Sequence, residues 1–227
     1  MSAGDDGKTI VPLKGIRGMI ARSLTTAWQA PRVAQGLDAD MTTVLRRVEE
    51  ERRNTGRRIS ITHAVLRTVA LTLREHPLVN GIVSESGVEL WSQVNLGVAV
   101  NTSHGVVVPV VPRADQRDLA ALESEVATLA DGARAGKLPA SAYQRGTFTV
   151  STLGATGIDW FTPVLNPPQI AILGVGRVAQ RAIVFDDAIV ARPMMTLTLV
   201  FDHRALDGHP AGLFLSAVVR RLTAGDF

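Results

Sequence analysis

Met194-Met195-Thr196-Leu197-Thr198-Leu199-Val200-Phe201-Asp202-His203-Arg204-Ala205-Leu206-Asp207-Gly208 is the stretch from which the rest of the chain is read. Its first half partly alternates, with Thr196 and Thr198 set against Leu197, Leu199 and Phe201, the period of a strand with one apolar face. Beyond it, residues 211–222 carry apolar side chains at helical spacing, and Gly208 lets the backbone turn between the two. The segment predicts a strand-to-helix junction that holds His203 and Asp207, four residues apart, on rigid supports. Two structural roles compete with a chemical one: Asp207 as cap of the following helix, and His203 as a hydrogen-bonded core residue.

Outward from this junction the pattern is mixed. Residues 13–29 place Ile16, Ile20, Leu24 and Ala27 at spacings of four and three and stop before Pro31, which predicts an amphipathic helix. A strand is expected at 33–41, helices at 42–53 and 62–75, and a hairpin of 81–83 with 88–91 around Ser86-Gly87. Residues 94–100 and 106–111 are almost wholly apolar, as strands covered on both faces are, and are the expected centre of the sheet. Asp118 should cap a helix with Leu119, Leu122, Val126, Leu129 and Ala133 on one stripe, closed by Gly136. Further strands are expected at 147–151, 170–175, 188–192 and 194–201. Long helices among hairpin-like and separated strands give an α/β sandwich with a mixed sheet. The polar residues 1–8 read as a disordered linker remnant, leaving 9–227 as one domain.

Composition narrows the chemistry. The 227 residues, 46% hydrophobic, suffice for one sizeable core. Against 24 basic residues stand 21 acidic ones, a net charge of +3 too weak to point to nucleic acid, and an aromatic fraction of 4% offers little for base stacking. Without cysteine there is no disulfide, thiolate metal site or cysteine nucleophile, so any thiol chemistry must use substrate thiols. No apolar run reaches membrane-span length and no signal peptide is visible, so the expectation is a cytoplasmic bacterial protein. His63, His76, His104 and His209 lack the paired acidic ligands that would make a metal site. Gly174-Val175-Gly176-Arg177 lacks the third glycine and the following helix of a dinucleotide-binding turn.

One more stretch has a physical reading of its own. In a strand, Thr147, Thr149 and Ser151 share one face while Phe148 and Val150 share the other. A row of three hydroxyls suits a solvated or substrate-lined surface, or simply an exposed strand rich in threonine.

Asp202-His203-Arg204, followed three positions later by Asp207-Gly208, resembles the active-site signature of the catalytic domain of dihydrolipoamide acyltransferases, the core component of 2-oxo acid dehydrogenase complexes. Further stretches similar to that family follow in its order and cover nearly the whole chain. They are Ile16-Arg17-Gly18-Met19-Ile20-Ala21-Arg22-Ser23-Leu24, Asn95-Leu96-Gly97-Val98-Ala99-Val100 with Gly105-Val106-Val107-Val108-Pro109-Val110-Val111, and Gly146-Thr147-Phe148-Thr149-Val150-Ser151. The last leads to Phe161-Thr162-Pro163-Val164-Leu165-Asn166-Pro167-Pro168-Gln169 and Ala171-Ile172-Leu173-Gly174.

The resemblance implies a chloramphenicol-acetyltransferase-like sandwich, a mixed sheet flanked by helices, assembled as a trimer. It implies acyl transfer between dihydrolipoamide and coenzyme A in residues 9–227, with the histidine of one subunit working beside the hydroxyl of its neighbour. An imidazole titrates near neutrality and can take the proton of a thiol, so His203 suits the general base. Ser151 falls on the position of the hydroxyl that steadies the oxyanion, although Thr152 stands where many members have asparagine. Ser151 lacks the Gly-x-Ser-x-Gly elbow of a covalent nucleophile. For Asp207 two roles stay open, polarising the histidine or orienting the loop through Arg17, Arg22 or Arg204; the resemblance favours orientation.

Coenzyme A is the implied co-substrate, and its contact residues are not readable. Lipoyl-lysine would come from a separate domain, since neither a lipoyl nor a peripheral-subunit-binding segment is recognisable, and no metal is implied. The implied partners are two further copies, a 2-oxo acid decarboxylase and dihydrolipoamide dehydrogenase. The family's leucine-rich tail is not apparent at Thr223-Ala224-Gly225-Asp226-Phe227, which leaves a larger cage open while keeping the trimer. Acetyl groups from pyruvate or acetoin and branched-chain acyl groups all fit; succinyl fits less, for want of a basic residue evidently placed to meet its second carboxylate. Two alternatives remain: a noncatalytic core that tethers partner enzymes, and an O-acetyltransferase whose relatives usually carry His-His where this chain has Asp202-His203.

Overall fold

The computed structural model describes residues 2–3 and 7–227, beginning with a short antiparallel pair, β1 (Ser2–Ala3) with β2 (Thr9–Ile10). The disorder expected of residues 1–8 falls partly on residues outside the described ones. Then come α1 (Gly15–Trp28), β3 (Arg32–Asp40), α2 (Thr42–Thr55) and α3 (Ile61–Glu75). The hairpin β4 (Gly81–Ser84) and β5 (Gly87–Leu90) precedes four short strands, β6 (Leu96–Val98), β7 (Val100–Thr102), β8 (Gly105–Val107) and β9 (Val110–Val111). After α4 (Leu119–Arg134) follow β10 (Phe148–Thr152), β11 (Ala171–Phe185), β12 (Ala188–Asp202) and α5 (Gly208–Ala224).

Local chemistry sets the helix ends. Asp118 Oδ1 accepts from Ala121 N at 2.7 Å and so caps α4, as its place in the sequence predicts. α3 opens with a reciprocal cap in which Ser60 Oγ accepts from His63 N and the His63 ring accepts from Ser60 N, a histidine filling the usual place of Glu or Gln. α2 stops at Gly56, whose φ of 67° is the left-handed conformation that ends helices.

The main sheet has six strands in the order β3-β12-β11-β10-β6-β9. β10 runs parallel to β11 and to β6, and the other pairs are antiparallel, so the sheet is mixed as expected. The apolar runs 94–100 and 106–111 do not form its centre. Leu96–Val98 and Val110–Val111 take the last two places, and β7 and β8 leave the sheet as a separate hairpin. Leu96, Val98 and Val111 are buried in one core with Leu122 and Val126 of α4, so their apolarity reports burial and not position in the strand order.

The two central places go to β11 and β10, and the longest pair is β11 with β12, each of 15 residues and longer than its pattern suggests. The two strands expected at 188–192 and 194–201 are one, running through Pro193. The Pro193 carbonyl accepts from Met41 N at 2.8 Å, so the nitrogen of the same residue also faces the β3 side. There β3 has already ended, its last residue Asp40 opposite Met194, and the missing N–H interrupts no ladder.

Alternation sorts the two faces. Phe148 and Val150, Ala171, Leu173 and Val175, and Leu197, Leu199 and Phe201 all turn into a single core with α2, α3, α4 and α5. Across the sheet, Ile172 and Val200 meet only Leu165 and Ala27 as buried partners, a smaller cluster under the end of α1. The helical layer therefore lies mainly on one face, and the other is covered by loop and by the last turn of α1.

Candidate active site

β12 delivers Asp202 to the end of the sheet, where Asp202 N donates to Ile170 O at 2.9 Å. The chain then turns sharply, the Asp202 carbonyl accepting from Ala205 N at 3.0 Å and from Leu206 N at 3.1 Å. His203 N donates to Pro31 O at 2.8 Å, tying the turn to the segment that enters β3. The imidazole leans on the Phe201 ring, centroids 5.7 Å apart, and 43% of the side chain is exposed, so His203 is not a core residue. Asp207 sits at the N-cap of α5 but makes no capping hydrogen bond. Its Oδ1 lies 3.7 Å from His203 Nδ1, outside hydrogen-bond distance, on a side chain that is 85% exposed.

The arginine of the motif does not serve Asp207. Arg204 Nε lies 3.0 and 3.1 Å from the two carboxylate oxygens of Asp202, and its NH2 group 2.6 Å from Oδ2. Arg204 N also donates to Asp202 Oδ1 at 3.0 Å. Asp202 is buried; burial disfavours its charged form, but the hydrogen bonds and charge of Arg204 outweigh that and hold the carboxyl below its ordinary range. No Arg17 or Arg22 ion pair to Asp207 forms among the described residues of one protomer. Arg32, opposite Asp202 in β3, lays its guanidinium 3.1 Å over the Trp28 ring instead. The importance of Asp202 was not read from the sequence, though an acid closing a buried strand has to find a partner.

Ser151 stands near the end of β10. Its row of hydroxyls is not a solvated surface: Thr147 and Thr149 are fully buried, and only Ser151 and Thr152 emerge. Thr147 Oγ1 donates to Asn80 Oδ1 at 2.6 Å and accepts from Asn95 N at 3.1 Å. Thr149 Oγ1 donates to Gln169 Oε1 at 2.5 Å and accepts from Asn166 Nδ2 at 3.4 Å. A buried hydroxyl needs such partners, so the threonines brace β10 and leave the exposed end to Ser151.

The neighbours of Ser151 across the sheet are Gly174 and, one strand further, Thr198. A Cβ at Gly174 would come 2.9 Å from Pro163 Cδ, and one at Gly176 would fall on the Asp159 carbonyl. These glycines let the segment from Asp159 to Pro163 lie down on the sheet beside Ser151, which accounts for a run that only superficially suggests a nucleotide loop.

Within one chain His203 and Ser151 are far apart. From the level of Ser151, Asp202 at the end of β12 is two strands across and four residues along, roughly 16 Å by ordinary strand spacing and rise, and His203 lies one residue beyond it. Both cannot touch one carbonyl carbon. An open groove of about 510 Å³ on the sheet face, bounded by Gly36, Asp38, Trp160, Arg181, Thr196 and Thr198, includes neither residue. Among the described residues no cluster of three or more His, Asp or Glu is placed to hold a metal, and no helix is long and apolar enough to cross a membrane.

Residues 5–225 match the model of the 2-oxoacid dehydrogenases acyltransferase (catalytic domain). The dihydrolipoyllysine-residue acetyltransferase component of the pyruvate dehydrogenase complex of Bacillus subtilis is 33% identical over 225 residues, covering 96% of this chain and 51% of the relative. The chain spans about half the length of the curated relatives it matches. The crystal structure used to probe a serine, a histidine and an asparagine in the catalytic mechanism of Azotobacter vinelandii dihydrolipoamide acetyltransferase superimposes with a TM-score of 0.91 at 32% identity, covering 98% of this chain and 96% of that one. The cubic core of a pyruvate dehydrogenase multienzyme complex gives 0.91 at 31% identity, covering 98% and 96%. A chloramphenicol acetyltransferase, at 15% identity and a TM-score of 0.56 over 90% of this chain and 93% of its own, shows the shared fold alone. The motif around His203, the mixed sheet that carries it and a match along nearly the whole chain agree: this chain belongs to the 2-oxoacid dehydrogenase acyltransferase catalytic-domain family.

Proposed function

We propose that residues 9–227 form a catalytic domain that moves an acyl group between the thiol of a dihydrolipoyl arm and that of coenzyme A, at a site shared between two copies of the chain. The observation that carries the reading is a spacing. In the Azotobacter enzyme the serine precedes the histidine by the same number of residues as Ser151 precedes His203, and the asparagine follows the histidine by four, the place of Asp207 here. The wide separation of His203 and Ser151 within one chain then favours a trimer in which each histidine meets the serine of a neighbour.

His203 takes the proton of the incoming thiol, and the thiolate attacks the thioester carbonyl. Ser151 of the adjacent copy donates a hydrogen bond to the oxyanion of the tetrahedral intermediate. Collapse breaks the original carbon–sulfur bond, and the departing thiolate takes the proton back from the imidazolium. Asp207 orients the imidazole and does not accept its proton, a role that the Azotobacter asparagine could also fill. Lipoyl-lysine arrives on a separate domain, and a 2-oxo acid decarboxylase and dihydrolipoamide dehydrogenase complete a cytoplasmic assembly.

The test is transfer from acetyl-CoA to dihydrolipoamide by the wild-type chain, repeated with a mixture of His203→Ala and Ser151→Ala subunits. Each variant alone should lose about a hundredfold or more of the activity, and the mixture should recover part of it. An inactive wild-type chain, or a mixture that stays inactive after confirmed subunit exchange, overturns the shared site. Comparing acetyl-, isobutyryl- and succinyl-CoA assigns the acyl group, since one methylene is worth only about 1–3 kcal/mol and is decided by pocket shape.

A further inference from the structure

His203 is placed by an ion pair in which it takes no part. Its two chain neighbours are Asp202, with a side chain only 4% exposed, and Arg204, with a side chain 57% exposed. Their fork of contacts closes over the His203 peptide, because one carboxylate receives both the Arg204 guanidinium and the Arg204 backbone N–H. The third hold is the bond from His203 N to Pro31 O. With the backbone held before, at and after position 203, the imidazole leaves the turn against the Phe201 ring and stays partly exposed.

We propose that Asp202 and Arg204 are positioning residues for His203, a neutral lock that aims the imidazole and cancels the charge of the carboxylate buried beside it. Each partner is a full charge one residue from His203, and neither can be removed without exposing the imidazole to the other. Among the described residues, further charged or titratable groups next to this turn are Asp207 and His209 at the start of α5, and Arg32, which stands opposite Asp202 in the sheet and is held against Trp28. None of these pairs with Asp202 or Arg204 among the described residues. Burial disfavours the charged form of Asp202, but the hydrogen bonds and charge of Arg204 hold its carboxyl below the ordinary range and so favour the ionised form the pair needs.

The inference rests on His203 being the base, and its test reads the imidazole directly as well as the activity. The full chain, labelled at histidine, is titrated by NMR as wild type, Arg204→Met, Asp202→Asn and the double variant; among five histidines the His203 signal is the one missing from His203→Ala. Arg204→Met leaves the carboxylate uncompensated and should raise the His203 midpoint by about half a pH unit, given its partial exposure. Asp202→Asn keeps an acceptor for Arg204 N but leaves the guanidinium uncompensated, and should lower the midpoint by a similar amount. The double variant should return close to wild type, and the acid limb of kcat/KM should follow the same three shifts. Arg204→Lys, which keeps the charge and loses the fork, should leave the midpoint in place while kcat falls. Midpoints that do not move in opposite directions in the two single variants overturn the lock, whatever the activity does. Retained transfer by His203→Ala overturns the parent assignment instead, and leaves the titration result standing on its own.

Discussion

His203 and Ser151 each leave the end of a buried strand, but the elements behind them are fixed by different forces. At the His203 corner the backbone is held by full charges, Asp202 against Arg204, with Asp207 3.7 Å away. Behind Ser151 the bracing is neutral: Thr149 links Gln169 to Asn166, and Thr147 links Asn80 to Asn95, all through hydroxyls and amides. A base has to change its charge during a reaction, so fixed charges beside it bear on its protonation. An oxyanion donor only has to be in place, and neutral hydrogen bonds hold it without responding to pH. One half of the proposed site should therefore answer to charge changes and the other to packing.

The largest expected effect is on the charged half. His203→Ala should lower the rate of thiol-to-thiol acyl transfer by about 10²–10⁴-fold, measured as kcat/KM, with the thermal unfolding of the chain unchanged. Next comes the neutral half, where Ser151→Ala should cost about 2.7–4 kcal/mol of barrier, appearing in kcat and not in KM. A Ser151→Ala variant with unchanged kcat would remove Ser151 from the chemistry and dissolve the comparison.

A third change probes the bracing. Thr149→Val leaves the buried Gln169 carbonyl without its donor and should cost about 1–3 kcal/mol in urea unfolding. The same variant should lower kcat by less than Ser151→Ala does, and leave the pH profile where it was.

The smallest effect separates function from plain stability. Burial pushes the His63 imidazole below its ordinary value, Glu123 partly offsetting and Arg52 adding; burial also lowers His76, opposed by Glu75 and helped by Arg220. As pH falls through 6.5 the unfolded chain therefore takes up protons before the folded one, and stability drops. His63→Gln and His76→Gln should each make that decline shallower in denaturant titrations, without moving the acid limb of the activity.

The legible parts of the fold were those with local causes. The strand that ends in Asp202, the helix that stops ahead of Pro31 and the Asp118 cap all follow from spacing and side chains a few positions apart. Less legible was anything that needed a partner. Two apolar runs read as the centre of the sheet lie at its end, because α4 buries them there as fully as a second sheet neighbour would. Arg204 is one of three arginines that the sequence offers Asp207, and only the direction of the turn gives it to Asp202. The hydroxyl row allows a solvated surface, a substrate-lined one or a plain exposed strand, since nothing near Thr149 in sequence announces its buried partner Gln169.

By itself the sequence determined the identity of the chemistry-bearing residues and the strand-to-helix junction that carries His203, because periodicity, capping and turning are set by near neighbours along the chain. Tertiary structure alone decided which strands adjoin, which hydroxyls are buried, which acid Arg204 takes, and that the strand end carrying His203 stands roughly 16 Å from Ser151 by strand geometry within one copy. Those outcomes depend on contacts between residues distant in the chain, where burial and hydrogen bonding choose among partners that the local pattern leaves equivalent.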